Sequence, residues 1–379
     1  MSGATPPPIQ GLCPPQFQAV RDQFERHLAD GEDLGAGFAI AINGRLVIDL
    51  TGGWAGRRQA RAFGPETLVS IFSTTKAVSA LMMARLVGQG RLDYRQTVAS
   101  IWPAFAAAGK QDITVEMVLS HQAGLSGFLE PMEPVEWFDH AAICARLAAM
   151  VPLWPPGTAS GYHPLTFGFI ADEIHRRIDG RSLGTALRED LTQPLGLDLW
   201  IGLPASEHHR VTDMQRPTTI PAFGNVTPAL KAAFLTRWST IGGKRLDGWL
   251  SHEFPAAGGQ ATAAALARLM AAMACDGAIG DVPVLAPGTA MQAGSERIAV
   301  RDLVLPFDVS WGAGFLRNPP NMFYGPEPFT LAHSGWGGSC AFADPVRGLS
   351  GAYVMNRQST ALVGDIRPRR LIDAVYAAL

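Results

Sequence analysis

The sequence predicts an α/β (α+β) protein in which strands from both ends of the chain form one antiparallel sheet flanked by helices, with a mostly helical subdomain inserted. Three observations predict it. Near the start, apolar positions Phe17, Val20, Phe24 and Leu28 recur at helical spacing. Two strand-like runs follow, Phe38–Ile42 and Arg45–Leu50, joined by Asn43-Gly44, the strongest two-residue hairpin signal. Near the end, strand-like sequence returns at Phe329–Gly335, Ser339–Ala343 and Gly351–Asn356, with turn chemistry at Asp344-Pro345 and Arg347-Gly348. A last helix from Arg369 to Leu379 carries Leu371, Ile372, Val375 and Leu379 on one side. Between the two ends, from Ser73 to about Trp238, the pattern is helical and loop-rich. Residues 1–72 and 239–379 therefore read as a sheet subdomain and 73–238 as a helical one, with a cleft between them floored by the start of the Ser73 helix.

Composition excludes several function classes. The 379 residues are 47% hydrophobic and 17% charged, with net charge −2 and no basic block. Nothing here supports nucleic-acid binding. The most apolar window, Ala261 to Cys275, is interrupted by Arg268 and is shorter than the ~20 residues of a membrane span, so it reads as a buried or amphipathic helix. Met1 to Pro8 shows no basic segment followed by an apolar one, and Cys13, Cys144, Cys275 and Cys340 are widely separated. The expectation is a reduced, cytoplasmic protein with no disulfide framework, no membrane contact and no cofactor. His208-His209 and His252-Glu253 lack the spacing of a metal site, so no metal is expected.

Chemistry concentrates in three places. Ser73-Thr74-Thr75-Lys76 is the only Ser-x-x-Lys, and it spends one of four lysines among 31 basic residues. At the start of a helix over Thr74–Leu86, residues three apart share a face, so the hydroxyl and the amine can meet. In a dry pocket burial lowers the lysine pKa, leaving a neutral amine able to take the hydroxyl proton, and the helix dipole favours an alkoxide-like oxygen there. Second, the turn-rich Trp154–Pro164 leads to Tyr162 before a helix from about Leu165 to Ile178. Alone, Tyr162 reads as a core or capping residue; with its pKa lowered by a lysine it would carry protons. Third, His333-Ser334-Gly335-Trp336-Gly337-Gly338-Ser339 has the small residues that let a substrate lie along a strand and a backbone N–H serve an oxyanion, though it reads equally as a glycine-rich turn.

In this order the three elements resemble the serine β-lactamase/penicillin-binding-protein superfamily, its class C β-lactamase-like branch, and within it the family VIII carboxylesterases. Val118–Leu125 is similar to that family's "LLSHTSGL" stretch, and Ala257–Thr262, Asp344-Pro345 and Val354–Asn356 also match. The resemblance runs from about residue 15 to the end. It implies Ser73 as the acylated nucleophile, Lys76 as its base, and Tyr162 as the proton shuttle to the leaving group and later the activator of water. The oxyanion hole would use the N–H of Ser73 and one from the last segment. That donor is Trp336 if His333-Ser334-Gly335 aligns with the family's Lys-Thr-Gly, the alignment preferred here. It is Ser339 if Trp336-Gly337-Gly338 is the equivalent.

Two departures bear on substrate. Pro164 occupies the third position of the family's Tyr-x-Asn and has no amide to bind an acylamino carbonyl. His333 stands where lactamases and transpeptidases carry lysine, and an ordinary histidine is mostly neutral at pH 7. Both changes weaken grip on peptides and β-lactams, while a simple ester needs neither contact. No Gly-x-Ser-x-Gly occurs, which removes the α/β-hydrolase elbow. The expectation is a serine carboxylesterase acting on short-chain esters as a monomer or homodimer, with weak β-lactam hydrolysis and a pocket lined by Phe128, Trp137, Trp311 and Trp336. The alternatives are a β-lactamase or D-amino peptide hydrolase, an acyltransferase, or a non-catalytic binding relative.

Overall fold

The structure is a computed structural model describing residues 7–219, 221–223, 225–239 and 248–379. The readings made on residues 1–6 and 240–247 lie outside the described residues. The chain begins with β1 (Gln10–Leu12) and α1 (Gln18–Ala29), then the hairpin β2 (Gly35–Ile42) and β3 (Arg45–Gly53). Asn43 and Gly44 both take positive φ, 51° and 72°, which matches the right-handed twist of the flanking strands. After β4 (Val69–Ser70) the chain is mostly helical: α2 (Thr75–Gly88), α3 (Val98–Ile101), α4 (Val115–Leu119), α5 (His140–Ala149), α6 (Thr166–Asp179) and α7 (Leu183–Leu187). Then come β5 (Leu199–Ile201), the short α8 (Pro228–Leu230), β6 (Gly259–Ala261) and α9 (Ala263–Ala274). The last part holds β7 (Ala278–Ile279), β8 (Val282–Pro283), α10 (Thr289–Gly294), β9 (Ile298–Arg301), β10 (Asp308–Trp311), β11 (Leu316–Arg317), β12 (Leu331–Ser334), β13 (Cys340–Asp344), β14 (Leu349–Met355) and α11 (Ile366–Ala377).

Both ends of the chain meet in one nine-stranded antiparallel sheet, in the order β1-β3-β2-β14-β13-β12-β11-β10-β9. The join is β2 with β14, paired from Leu349↔Ile42 to Met355↔Ala36. Side chains alternate across this join, so its two faces have different covers. Phe38, Ile40, Tyr353 and Met355 pack with Phe24, Leu371 and Val375 of α1 and α11. On the other face, Ala39, Ala341, Ala343 and Ala352 are small, and α9 packs against them. Ser350 Oγ even donates 2.7 Å to the Ala267 carbonyl of α9. Sequence patterning missed β1 and β9–β11, which are short or irregular. A separate three-stranded sheet, β4-β6-β5, ties the segment before Ser73 to Gly259–Ala261.

Candidate active site

The nucleophile is carried by a strained turn. Between β4 and α2, Phe72 has φ +46°, a conformation that costs a bulky residue of order 1–3 kcal/mol and clusters at functional sites. The surroundings hold it there: Thr75 Oγ1 donates 2.5 Å to the Phe72 carbonyl and accepts from the Gly259 N–H at 2.9 Å. Ser73 follows in a 3₁₀ turn that leads directly into α2, and it keeps partial exposure. Helix α2 is apolar on nearly every side and buried, which is why a lysine on it is remarkable only for its partners.

Lys76 is completely buried, with Nζ 3.2 Å from Ser73 Oγ, 2.7 Å from the Pro164 carbonyl and 3.0 Å from the Ala256 carbonyl. No carboxylate pairs with it among the described residues, and burial alone holds its pKa well below the ordinary lysine value. A neutral amine has two N–H bonds and one lone pair. With two N–H bonds given to the carbonyls, the third position on Nζ meets Ser73 Oγ; in the neutral amine that position is the lone pair able to take the hydroxyl proton. Pro164 thus enters through its backbone, a role that its side chain does not announce.

Tyr162 is nine-tenths buried and its hydroxyl is hydrogen-bonded to Ser73, with Lys76 Nζ 4.8 Å from the ring centre. Burial raises its pKa above the ordinary phenol value, and the Ser73 hydrogen bond offsets only part of that. The sequence expected a lysine to lower it. The physical reason for the difference is desolvation: burial of the phenol outweighs the one hydrogen bond that favours its ionised form, and burial also holds the Lys76 amine down.

The ring of Tyr162 stacks on Trp311 (6.1 Å) and meets His121 edge-on at 4.8 Å. Its backbone N–H donates 3.0 Å to Asp302 Oδ1, a carboxylate that also accepts from Ser160 Oγ and the Val304 and Leu305 N–H groups. His163 N–H donates to His121 Nδ1 at 3.2 Å, and Leu125 N–H donates to His163 Nε2 at 3.0 Å. These contacts lock the tyrosine turn to the Val118–Leu125 segment. Sequence reasoning missed Asp302, Ala256 and His163; only the pairing of distant loops reveals them.

The third element lies on β12 and the turn after it. His333 is buried, its Nδ1 is 2.8 Å from the Ser334 carbonyl, and burial drops its pKa to about 3. It is therefore neutral well beyond the ordinary histidine expected from sequence. Ser334 faces the other side of the strand, 2.5 Å from Tyr324 Oη. Gly335 packs so tightly that an added Cβ would lie 2.1 Å from the Ile71 carbonyl oxygen. Trp336 stays partly exposed, its ring edge-on to Phe72 at 6.0 Å. Ser339 is fully buried, with Oγ 2.8 Å from the Ile71 carbonyl and 3.1 Å from Thr74 Oγ1, so it fastens the strand to the nucleophile turn. Gly338 has φ +131°, and a Cβ there would meet Arg367 and Asp365. Of the aromatics expected to line the pocket, Trp311 and Trp336 adjoin this cluster. Phe128 and Trp137 instead meet each other at a tilt, and Trp137 meets Phe169, in the helical core.

A family model described as Beta-lactamase matches residues 20–376. The chain belongs to the beta-lactamase family. Among curated proteins it is similar to Esterase/beta-lactamase LipL of Mycobacterium tuberculosis (strain ATCC 25618 / H37Rv), 33% identical over 371 residues, which is 94% of this chain and 84% of that one. Among solved structures it is similar to a penicillin-binding protein homolog from Caulobacter crescentus, with 58% identity and TM-score 0.96 over 98% of this chain and 100% of that one. A family VIII carboxylesterase superimposes with TM-score 0.93 and 39% identity, again over 98% of this chain and all of the other. The beta-lactamase-family fold accounts for the sheet made from both termini. No helix among the described residues is long and apolar enough to cross a membrane.

Proposed function

We propose that this beta-lactamase-family chain is a serine carboxylesterase that hydrolyses short-chain esters through an acyl-enzyme on Ser73. The observation that carries the reading is the Lys76 amine, buried, without a carboxylate, 3.2 Å from Ser73 Oγ. Lys76 takes the hydroxyl proton as Ser73 Oγ attacks the ester carbonyl carbon. The oxyanion that forms is held by the backbone N–H groups of Ser73 and Trp336. Tyr162 gives its proton to the leaving alkoxide and regains one from the Lys76 ammonium, so the alcohol departs neutral. In the second half, water attacks the acyl carbon and passes a proton back along the same pair. Ser73 then leaves with its hydroxyl restored and the acid is released. The cleft lies between the sheet part (1–72 and 239–379) and the helical part (73–238).

The preference for esters over β-lactams rests on charge. His333, with a pKa of about 3, supplies no cation for a substrate carboxylate, and Pro164 spends its carbonyl on Lys76. The likeness to proteins described as an esterase/beta-lactamase and a family VIII carboxylesterase supports the same choice. The likeness to a penicillin-binding protein homolog keeps one competitor in view, a protein acylated by β-lactams.

The test is turnover of p-nitrophenyl butyrate beside nitrocefin by wild type and Ser73→Ala. Ester turnover that dominates and disappears in the variant supports the proposal. Dominant nitrocefin turnover makes the chain a lactamase, and activity that survives Ser73→Ala removes Ser73 from the mechanism. Added alcohol that diverts the acyl group into a new ester would mark an acyltransferase using the same residues.

A further inference from the structure

Helices α5 and α6 bring together three side chains that the ester chemistry does not use. His140, Cys144 and Glu173 each offer one ligand atom, all within 4.8 Å of one another. His140 Nε2 is 3.1 Å from Glu173 Oε2 and 3.3 Å from Cys144 Sγ. One ring nitrogen thus meets both a carboxylate oxygen and a thiol sulfur, while the thiol has a second, longer contact of 3.9 Å to the Phe169 carbonyl. A cation between the three atoms would draw a lone pair from each.

We propose that His140, Cys144 and Glu173 bind a zinc ion, with water in the fourth position. Zinc takes imidazole, thiolate and carboxylate at about 2.0–2.3 Å, so tetrahedral ligand atoms lie roughly 3.3–3.6 Å apart. The two separations at His140 Nε2, 3.1 and 3.3 Å, need only a few tenths of an ångström of adjustment, and the Cys144 and Glu173 ligand atoms, within 4.8 Å of each other, close further on the ion. The surroundings hold the ligands as a metal site requires. His140 Nδ1 faces Asp172 Oδ2 at 3.5 Å, the carboxylate–histidine arrangement that fixes ring orientation and raises ligand basicity. Arg177 Nε holds the other Glu173 oxygen at 2.7 Å, so Oε2 is the oxygen turned toward His140 and the ion. Cys144 is 5% exposed, so its sulfur is shielded from solvent beside the other two ligand atoms. Coordination expels the thiol proton, and thiolate plus carboxylate then cancel the ion's charge. Sequence reading weighed only His208-His209 and His252-Glu253 and expected no metal; His140 and Cys144 on α5 gain their third partner only where α6 packs beside them.

The test uses the full chain stripped with chelator and titrated with zinc chloride, then with cobalt chloride as a coloured substitute. The expected result is one equivalent bound, one proton released per ion, and a thiolate-to-cobalt charge-transfer band in the near ultraviolet. Cys144→Ser should abolish that band and weaken zinc at least tenfold, Glu173→Gln should weaken zinc by 10–100-fold, and Cys275→Ser should change neither. If wild type gives no charge-transfer band, or binds less than one equivalent, the proposal fails whatever the variants do. If Cys144→Ser is too unstable to purify, Glu173→Gln and the wild-type band decide; unchanged zinc affinity in Glu173→Gln also overturns it.

Discussion

Gly335→Ala offers a test of how closely the C-terminal strand must approach the nucleophile. Gly335 is not at positive φ, so alanine is conformationally free to replace it, and any effect is one of space. The new methyl would sit 2.1 Å from the Ile71 carbonyl oxygen, 2.3 Å from Ser339 Oγ and 3.0 Å from Thr74 Oγ1. Carbon atoms essentially never approach below 3.0 Å, so β12 and the Ile71–Ser73 turn must part by about 0.9 Å. Neither neighbour can swing aside. Ile71 O is backbone, and Ser339 Oγ is fastened to both Ile71 and Thr74. The movement separates the Trp336 N–H from Ser73. A misplacement of about 1 Å at a reacting centre costs on the order of 10²-fold, and loss of an oxyanion donor costs on the order of 10²–10³. We expect kcat/KM for p-nitrophenyl butyrate to fall about 100-fold or more while circular dichroism stays native. Gly64→Ala is the control, since a methyl there meets nothing within 4 Å. A Gly335→Ala enzyme within threefold of wild type would refute the placement of the oxyanion hole on this strand.

Other substitutions probe the proton path and its support. Lys76→Arg should be as inactive as Lys76→Met, roughly 10²–10⁴-fold down in kcat, because a guanidinium that never deprotonates cannot act as base; partial activity in Lys76→Arg would argue against a neutral amine. Tyr162→Phe should lower kcat on the same scale with KM little changed, since the ring keeps its stacking on Trp311; a change confined to KM would deny the shuttle. Asp302→Ala leaves the N–H groups of Tyr162, Val304 and Leu305 buried without an acceptor, at ~1–3 kcal/mol each, whereas Asp302→Asn can still accept them. Thermal unfolding should therefore drop sharply for the alanine variant and little for asparagine, and equal losses would contradict this account. His333 folds with a pKa of about 3 against 6.5. The unfolded chain binds the extra proton, so this stability is full above pH 6.5 and is lost as pH falls toward 3. At pH 5 the loss is about 2 kcal/mol, at 1.36 kcal/mol per unit, so the advantage of wild type over His333→Gln should shrink by that amount between pH 8 and 5. Parallel pH–stability curves would show that His333 is not held neutral by the fold.

Local chemistry determined much of this protein in advance. Asn43-Gly44 dictates a hairpin because few residue pairs accept two consecutive positive φ values. Helical spacing alone puts Ser73 and Lys76 on one face. The apolar runs at both ends predicted strands that would have to pair, and β2 with β14 is that pairing. What sequence could not supply is whatever depends on distant segments meeting. The pKa of Lys76 is lowered by burial, and its two carbonyl partners, Pro164 and Ala256, have no ionisable group to notice. Ser334 and Ser339 are equally polar in sequence, yet strand alternation turns one to Tyr324 and the next turn sends the other to the nucleophile loop. Asp302 braces Tyr162 from 140 positions away, and Glu173 completes a ligand set begun on another helix. Periodicity and turn chemistry act between near neighbours along the chain, so they can be read there; desolvation and convergence of side chains are properties of the packed interior, and only the tertiary structure decides them.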